Sequence, residues 1–223
     1  MLSKNQKTTV ADYIVDFLYN LGVKIFKTAS ADLHDFELHN YLAKTKKTVI
    51  ISTGMSTMKD IKKTLTKNWF KTLQDLICLE IEEIESKSTK FTSKEWLRNS
   101  KKDEGGGEYR VLENGRVFDK VGVNFSEVYG KFSKSFKKKV PGTSKNPNFW
   151  ASGISVVMHM KNPHIPALHF NTRYIYTNHG WFGGGMDATP CFADNNLKNW
   201  FHHQIKLTCD RHNKNYYNKY KKW

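Results

Sequence analysis

A chain of 223 residues is long enough for one large domain or two small ones, and 39% hydrophobic content with 13% aromatics supplies a core. The formal net charge of +15 favours phosphate backbones, anionic lipid surfaces and small polyanions alike, and does not choose among them. Nearly all of that charge is lysine, with arginine only at Arg98, Arg110, Arg116, Arg173 and Arg211, whereas base readout leans on the arginine fork, so a nucleic-acid reader is not favoured.

Cys78, Cys191 and Cys209 are widely spaced and form no CxxC pair, which argues against a disulfide framework or zinc ribbon and fits a reducing cytoplasm. Asp12 and Asp16 interrupt the apolar positions near the N-terminus, as a signal-peptide core would not tolerate. No run approaches the ~18 apolar residues of a membrane span.

In chain order, Ile14, Phe17, Leu18 and Leu21 fall at helical spacing and predict a helix over residues 11–21, closed by Gly22. A strand at Val23 to Lys27, a helix at about Asp35 to Lys44 and a strand at Val49 to Ile51 follow, as in parallel α/β units. The stretch VDFLYNLGVKIFKTASADLHDFELHNYLAKTKKTVIISTGMSTMKDI is similar to an internal part of sialic acid (N-acetylneuraminate) synthases, which are β/α barrels. Two strand-helix units cannot close an eight-stranded barrel, so that resemblance implies shared ancestry and not synthase activity.

Around Lys62 to Lys67 the pattern changes, which divides the chain into residues 1–65 and 66–223. A long helix follows, with Trp69, Phe70, Leu73, Leu76, Ile77, Ile81 and Ile84 as its apolar stripe. The polar stretch from Glu85 to Glu104 reads as surface loop with one short helix. Strands are expected at Tyr109 to Leu112, Val117 to Phe118 and Gly122 to Val128, with a hairpin turn at Glu113-Asn114-Gly115. Residues 131–148 read as an exposed basic loop.

From Trp150 to Tyr176 two antiparallel strands flank the turn KNPHIP. Period-two alternation puts Ser155, Val157 and His159 on one face, and His169, Asn171 and Arg173 on one face of the next strand. The run Trp181 to Asp187 contains three successive glycines that let a flat ligand approach, with Asp187 as proton acceptor or partner for an NH-bearing ligand. It lacks the spacing of a nucleotide-binding loop. A helix over Leu197 to His212 carries His202 and His203; one of them facing His159 and His169 would complete a metal set.

The segments GGGEYRVLENGRVFDKVGVNFSEVYG, SGISVVMHMKNPHIPALHFNTRY, WFGGGMDATP and YYNKYKKW together resemble the oxygen-dependent coproporphyrinogen III oxidases over residues 67–223. That resemblance implies an α+β fold, a large antiparallel sheet flanked by helices, here incomplete at its C-terminal side and preceded by a short α/β fragment. The implied reaction converts two propionates of coproporphyrinogen III to vinyl groups, giving protoporphyrinogen IX, with molecular oxygen as co-substrate and no organic cofactor. It also implies a homodimer, substrate contacts from Ser155, Asn171, Thr172 and Arg173, His169 as proton donor, Asp187 beside the pyrrole NH groups, and a divalent metal at His159, His169 and His202. The family continues well beyond Trp223, so uncovered sheet edges, poor solubility and little activity of the chain alone are expected. The alternatives are a basic nucleic-acid-binding protein, suggested by the charge and the tail Tyr216, Tyr217, Tyr220, Lys221, Lys222 and Trp223, or an inactive fusion carrying a synthase piece.

Overall fold

A computed structural model describes residues 10–86, 89–133, 135, 140, 142–143 and 146–222. Much of the expected basic loop at 131–148 and Trp223 of the tail therefore lie outside the described residues. The chain divides into two compact units, Met1–Lys71 and Thr72–Trp223.

In the first unit, α1 (Val10–Asn20) leads to β1 (Ile25–Thr28), a short 3-10 helix (Ser30–His34), α2 (Phe36–Lys44) and β2 (Thr48–Ile51). The strands β1 and β2 pair in parallel, as the helix-strand alternation predicts. Asp35 caps α2 by accepting the Leu38 N–H at 2.9 Å. The core is Val15, Phe26 and Leu42, with Leu18, Leu38, Tyr41 and Val49 against it. Ile14, Phe17 and Leu21, expected on the buried stripe of α1, are exposed, because α1 turns Val15 and Leu18 inward instead.

The long helix α3 spans Met58–Ile84, beginning well before the expected change of pattern. Its buried side chains are Thr64, Thr66, Phe70, Gln74, Cys78 and Ile81, the last four at spacings of four, four and three, while Trp69, Leu76 and Ile84 are exposed. The polar Gln74 is buried because its Nε2 donates to the Glu108 and Val123 carbonyls, both at 3.0 Å, which ties the helix to the sheet behind it.

That sheet has six antiparallel strands in sequence order: β3 (Thr92–Leu97), β4 (Gly105–Glu113), β5 (Phe118–Lys131), β6 (Asn148–Met160), β7 (Ala167–Tyr176) and β8 (Gly180–Thr189). With the helices α4 (Asn195–Asp210) and α5 (Tyr216–Lys221) it makes the mixed α+β fold expected. The stretch expected to be loop with a short helix holds β3 instead, paired with β4 from Thr92↔Val111 to Leu97↔Gly106. A ladder partner outweighs the weak strand pattern of TSKEWL. The two strands expected at Val117 and Gly122 are one strand, β5. In the hairpin before it Asn114, at φ +57°, takes the left-handed turn position, and its N–H donates to the Asp119 carbonyl at 2.9 Å.

The sheet has two unlike faces. Leu112, Val121, Val123, Phe125, Ile154, Val156, Trp150 and Tyr174 alternate to one side and form the buried core. The opposite side carries polar residues and glycines, and positions the candidate site.

Candidate active site

The register lines up rows of side chains that cross the polar face. One row runs Tyr109, Asn124, Ser155, Asn171, Gly185; a second runs Val111, Gly122, Val157, His169, Asp187; a third runs Gly107, Ser126, Gly153, Arg173, Gly183. Ser155, His169, Asn171, Arg173 and Asp187 therefore share one surface, as the period-two reading of β6 and β7 requires.

The run of glycines after Trp181 belongs to a strand, β8. Gly185 and Gly183 sit beside Asn171 and Arg173 on the polar face, and a Cβ at Gly122, Gly183 or Gly185 would meet no atom within 4 Å. Side-chain height is missing there, so the face has a flat floor that a planar ligand can approach.

His169 and Asp187 are direct cross-strand partners, with His169 Nδ1 and Asp187 Oδ2 3.3 Å apart. Both are partly exposed, at 43% and 62% of their side-chain surface, so the pair meets solvent or ligand directly. Arg173 is exposed and makes no ion pair with any described residue, which leaves its guanidinium available to an anionic ligand. Together the face offers an imidazole, a carboxylate, a guanidinium, an amide and a hydroxyl around an open floor. That combination can bind a flat polyanion and move protons at its rim.

Two sequence expectations fail to join this face. Thr172 pairs with Ile154 and Gly184, so alternation turns its side chain to the opposite, apolar side. His202 lies on α4 with its ring edge-on to Phe201 and Tyr217, at centroid distances of 5.9 and 6.3 Å. His159 and His169 are diagonal neighbours on the polar face, yet among the described residues no three His, Cys, Asp or Glu side chains are grouped to hold a metal ion. The set His159, His169 and His202 does not fit a divalent cation.

Sequence reading missed Trp96 and Asn124. The indole Nε1 of Trp96 donates to Asn124 Oδ1 at 2.9 Å, beside Ser155. The alternation of Gly122, Asn124 and Ser126 with Val121, Val123 and Phe125 would have placed Asn124 on the polar side. The loop assignment hid Trp96.

Residues 65–223 match the family model described as coproporphyrinogen III oxidase. The chain belongs to that family. Among curated coproporphyrinogen oxidases it is 46% identical over 173 residues to the oxygen-dependent coproporphyrinogen-III oxidase of Rickettsia akari (strain Hartford), covering 74% of this chain and 61% of that protein. Similar enzymes are those of Rickettsia africae (strain ESF-5), 46% identical over 168 residues with 72% and 59% covered, and Rickettsia bellii (strain RML369-C), 45% over 166 residues with 71% and 58% covered. The chain thus spans no more than 61% of the length of these coproporphyrinogen oxidases. Residues 7–83 match the NeuB family model, a longer stretch than the synthase resemblance suggests, and the two matches overlap along α3. No helix among the described residues is long and apolar enough to cross a membrane.

Proposed function

We propose that this chain takes part in the oxygen-dependent oxidative decarboxylation of coproporphyrinogen III to protoporphyrinogen IX, with the polar face of β6 to β8 as its substrate surface. The observation that carries the reading is the His169–Asp187 pair beside Arg173 on a glycine floor, in a chain of the coproporphyrinogen oxidase family. Each step takes a propionate side chain and one molecule of oxygen to a vinyl group, carbon dioxide and hydrogen peroxide. Two electrons leave the propionate and reduce the oxygen, so atoms and electrons balance without an organic cofactor.

The residues divide the work by their chemistry. Arg173 pairs with a propionate carboxylate through charge-assisted hydrogen bonds, and Ser155 and Asn171 add neutral ones. Asp187 accepts from pyrrole N–H groups, which point toward the centre of the macrocycle and want an acceptor there. His169, held against Asp187, donates and takes up the proton that moves during decarboxylation. Thr172 is given no side-chain contact with the ligand, since its side chain faces the opposite side of the sheet. The metal set does not fit, and no step is assigned to it. The overall charge of +15 draws a tetracarboxylate toward the face.

The reading extends to the rest of the protein. Residues 1–65 are a fragment of synthase-like ancestry and residues 66–223 the oxidase portion, working as a homodimer in a reducing compartment where Cys78, Cys191 and Cys209 stay free.

The test is incubation of the purified chain with coproporphyrinogen III in air and without oxygen, alone and with the remaining region of the Rickettsia akari relative added in trans. Vinyl product, carbon dioxide and peroxide in equal amounts, only in air, are expected. A folded chain that gives no oxygen-dependent product under either condition would overturn the reading.

A further inference from the structure

The polar face continues past the residues assigned above. Asn124 on β5 stands directly beside Ser155 and in the row that runs on through Asn171 to Gly185. Three strand spacings separate Asn124 from Gly185, about 14 Å at ~4.8 Å each. The open position at Gly122 lies next to it on the same strand and the same side.

Trp96 fixes the direction of the Asn124 amide. The indole can only donate, so its 2.9 Å bond to Oδ1 holds the amide oxygen toward Trp96 and turns the NH2 group away from it. The indole reaches Asn124 diagonally across Gly107, where a Cβ would come within 2.9 Å of Trp96 Cζ2. The Asn124 N–H groups have no partner among the described residues, so two oriented donors face the ligand surface unused.

We propose that Asn124 is a further ligand-binding residue, donating its amide N–H groups to a peripheral carboxylate of the bound tetrapyrrole, and that Trp96 is the residue that positions it. This rests on the reading of the polar face given under Proposed function. It extends the site from β6–β8 onto β5 and gives β3, through Trp96, a role in substrate orientation.

The experiment is a fluorescence titration of the full chain with coproporphyrin III, the stable oxidised form of the proposed substrate, using Asn124→Ala, Asn124→Asp, Trp96→Phe and the Trp96→Phe/Asn124→Ala pair. Asn124→Ala is expected to weaken binding about tenfold, the loss of one or two net hydrogen bonds. Asn124→Asp keeps the shape and the oxygen facing Trp96 but sets a carboxylate against a carboxylate, and is expected to weaken binding further. Trp96→Phe keeps the packing but frees the amide to rotate, and is expected to weaken binding about threefold to fivefold in the parent and not at all in the Asn124→Ala background. Wild-type affinity in Asn124→Asp overturns the proposal, as does a Trp96→Phe effect that persists without Asn124. Absence of binding by the wild-type chain overturns the reading of the face itself, and the proposal with it.

Discussion

Glu85 is a buried charged residue whose removal should cost the fold heavily. It follows the last residue of α3, is fully buried, and accepts backbone N–H groups from Arg116, Val117 and Phe118, the last two at 2.9 and 2.7 Å. One carboxylate thus latches the helix end to the start of β5. Burial alone would raise its pKa, but the donors from Phe118, Val117 and Arg116, with the Arg116 guanidinium, outweigh burial and hold it below its ordinary 4.5. Hydrogen bonds to a charged group are each worth about 1.5–3 kcal/mol, and the three share the two oxygens of one carboxylate, so Glu85→Ala should destabilise the sheet unit by about 3–4 kcal/mol rather than by their sum. Glu85→Gln keeps one oxygen for the Val117 and Phe118 N–H groups but turns an NH2 group toward the Arg116 N–H, and should cost about 2 kcal/mol. Because the folded pKa is depressed, the carboxylate's stabilisation is complete above the unfolded value of 4.5 and is lost as pH falls through the lower folded value. Urea unfolding at pH 7 and again below pH 4, followed by near-ultraviolet circular dichroism, should show a wild-type advantage over Glu85→Gln that shrinks in acid. A loss under about 0.5 kcal/mol, or one independent of pH, would refute the latch.

Further outcomes follow from the same geometry. Gly115→Ala should weaken the same latch, since its Cβ would fall 2.5 Å from Glu85 Oε1, and a lowered melting temperature would show it. Gly185→Val should leave the melting temperature nearly unchanged, because nothing lies within 4 Å of the new Cβ, yet abolish coproporphyrin III binding by raising the floor; a titration unaffected by the valine would place the ligand elsewhere. Arg173→Ala should weaken that binding by about tenfold to a hundredfold and reduce its dependence on salt, both readable by titration at two ionic strengths. His169→Asn should retain binding and lose turnover, measured as vinyl product per enzyme in air.

The sequence was most legible where one physical signal dominated. Period-two alternation in ISVVMH and HFNTRY gave the face shared by Ser155, His169, Asn171 and Arg173, and Asn-Gly marked the β4–β5 hairpin. The long helix was visible, and Phe70 and Ile81 of its expected stripe are buried, but the burial of Gln74 and of Glu85 just beyond it was not legible, since these polar residues are buried by partners distant in sequence. An apolar pattern cannot register such pairings. Trp96 was hidden because β3 is an edge strand whose order comes from the ladder to β4 and not from its own residues. The glycines of β8 were legible as an open approach for a flat ligand, but without side chains they carry no period-two pattern to mark them as a strand. Thr172 was grouped with Asn171 and Arg173 by adjacency in a motif, which alternation contradicts.

The most direct test of the account asks where the macrocycle lies. Amide hydrogen exchange of the full chain should be compared with and without coproporphyrin III. Slowed exchange confined to β5 through β8, strongest around His169 to Arg173 and Gly183 to Asp187, is the predicted footprint. Protection confined to α4, α5 or the first unit, with those strands unchanged, would contradict the assignment of the polar face as the active site.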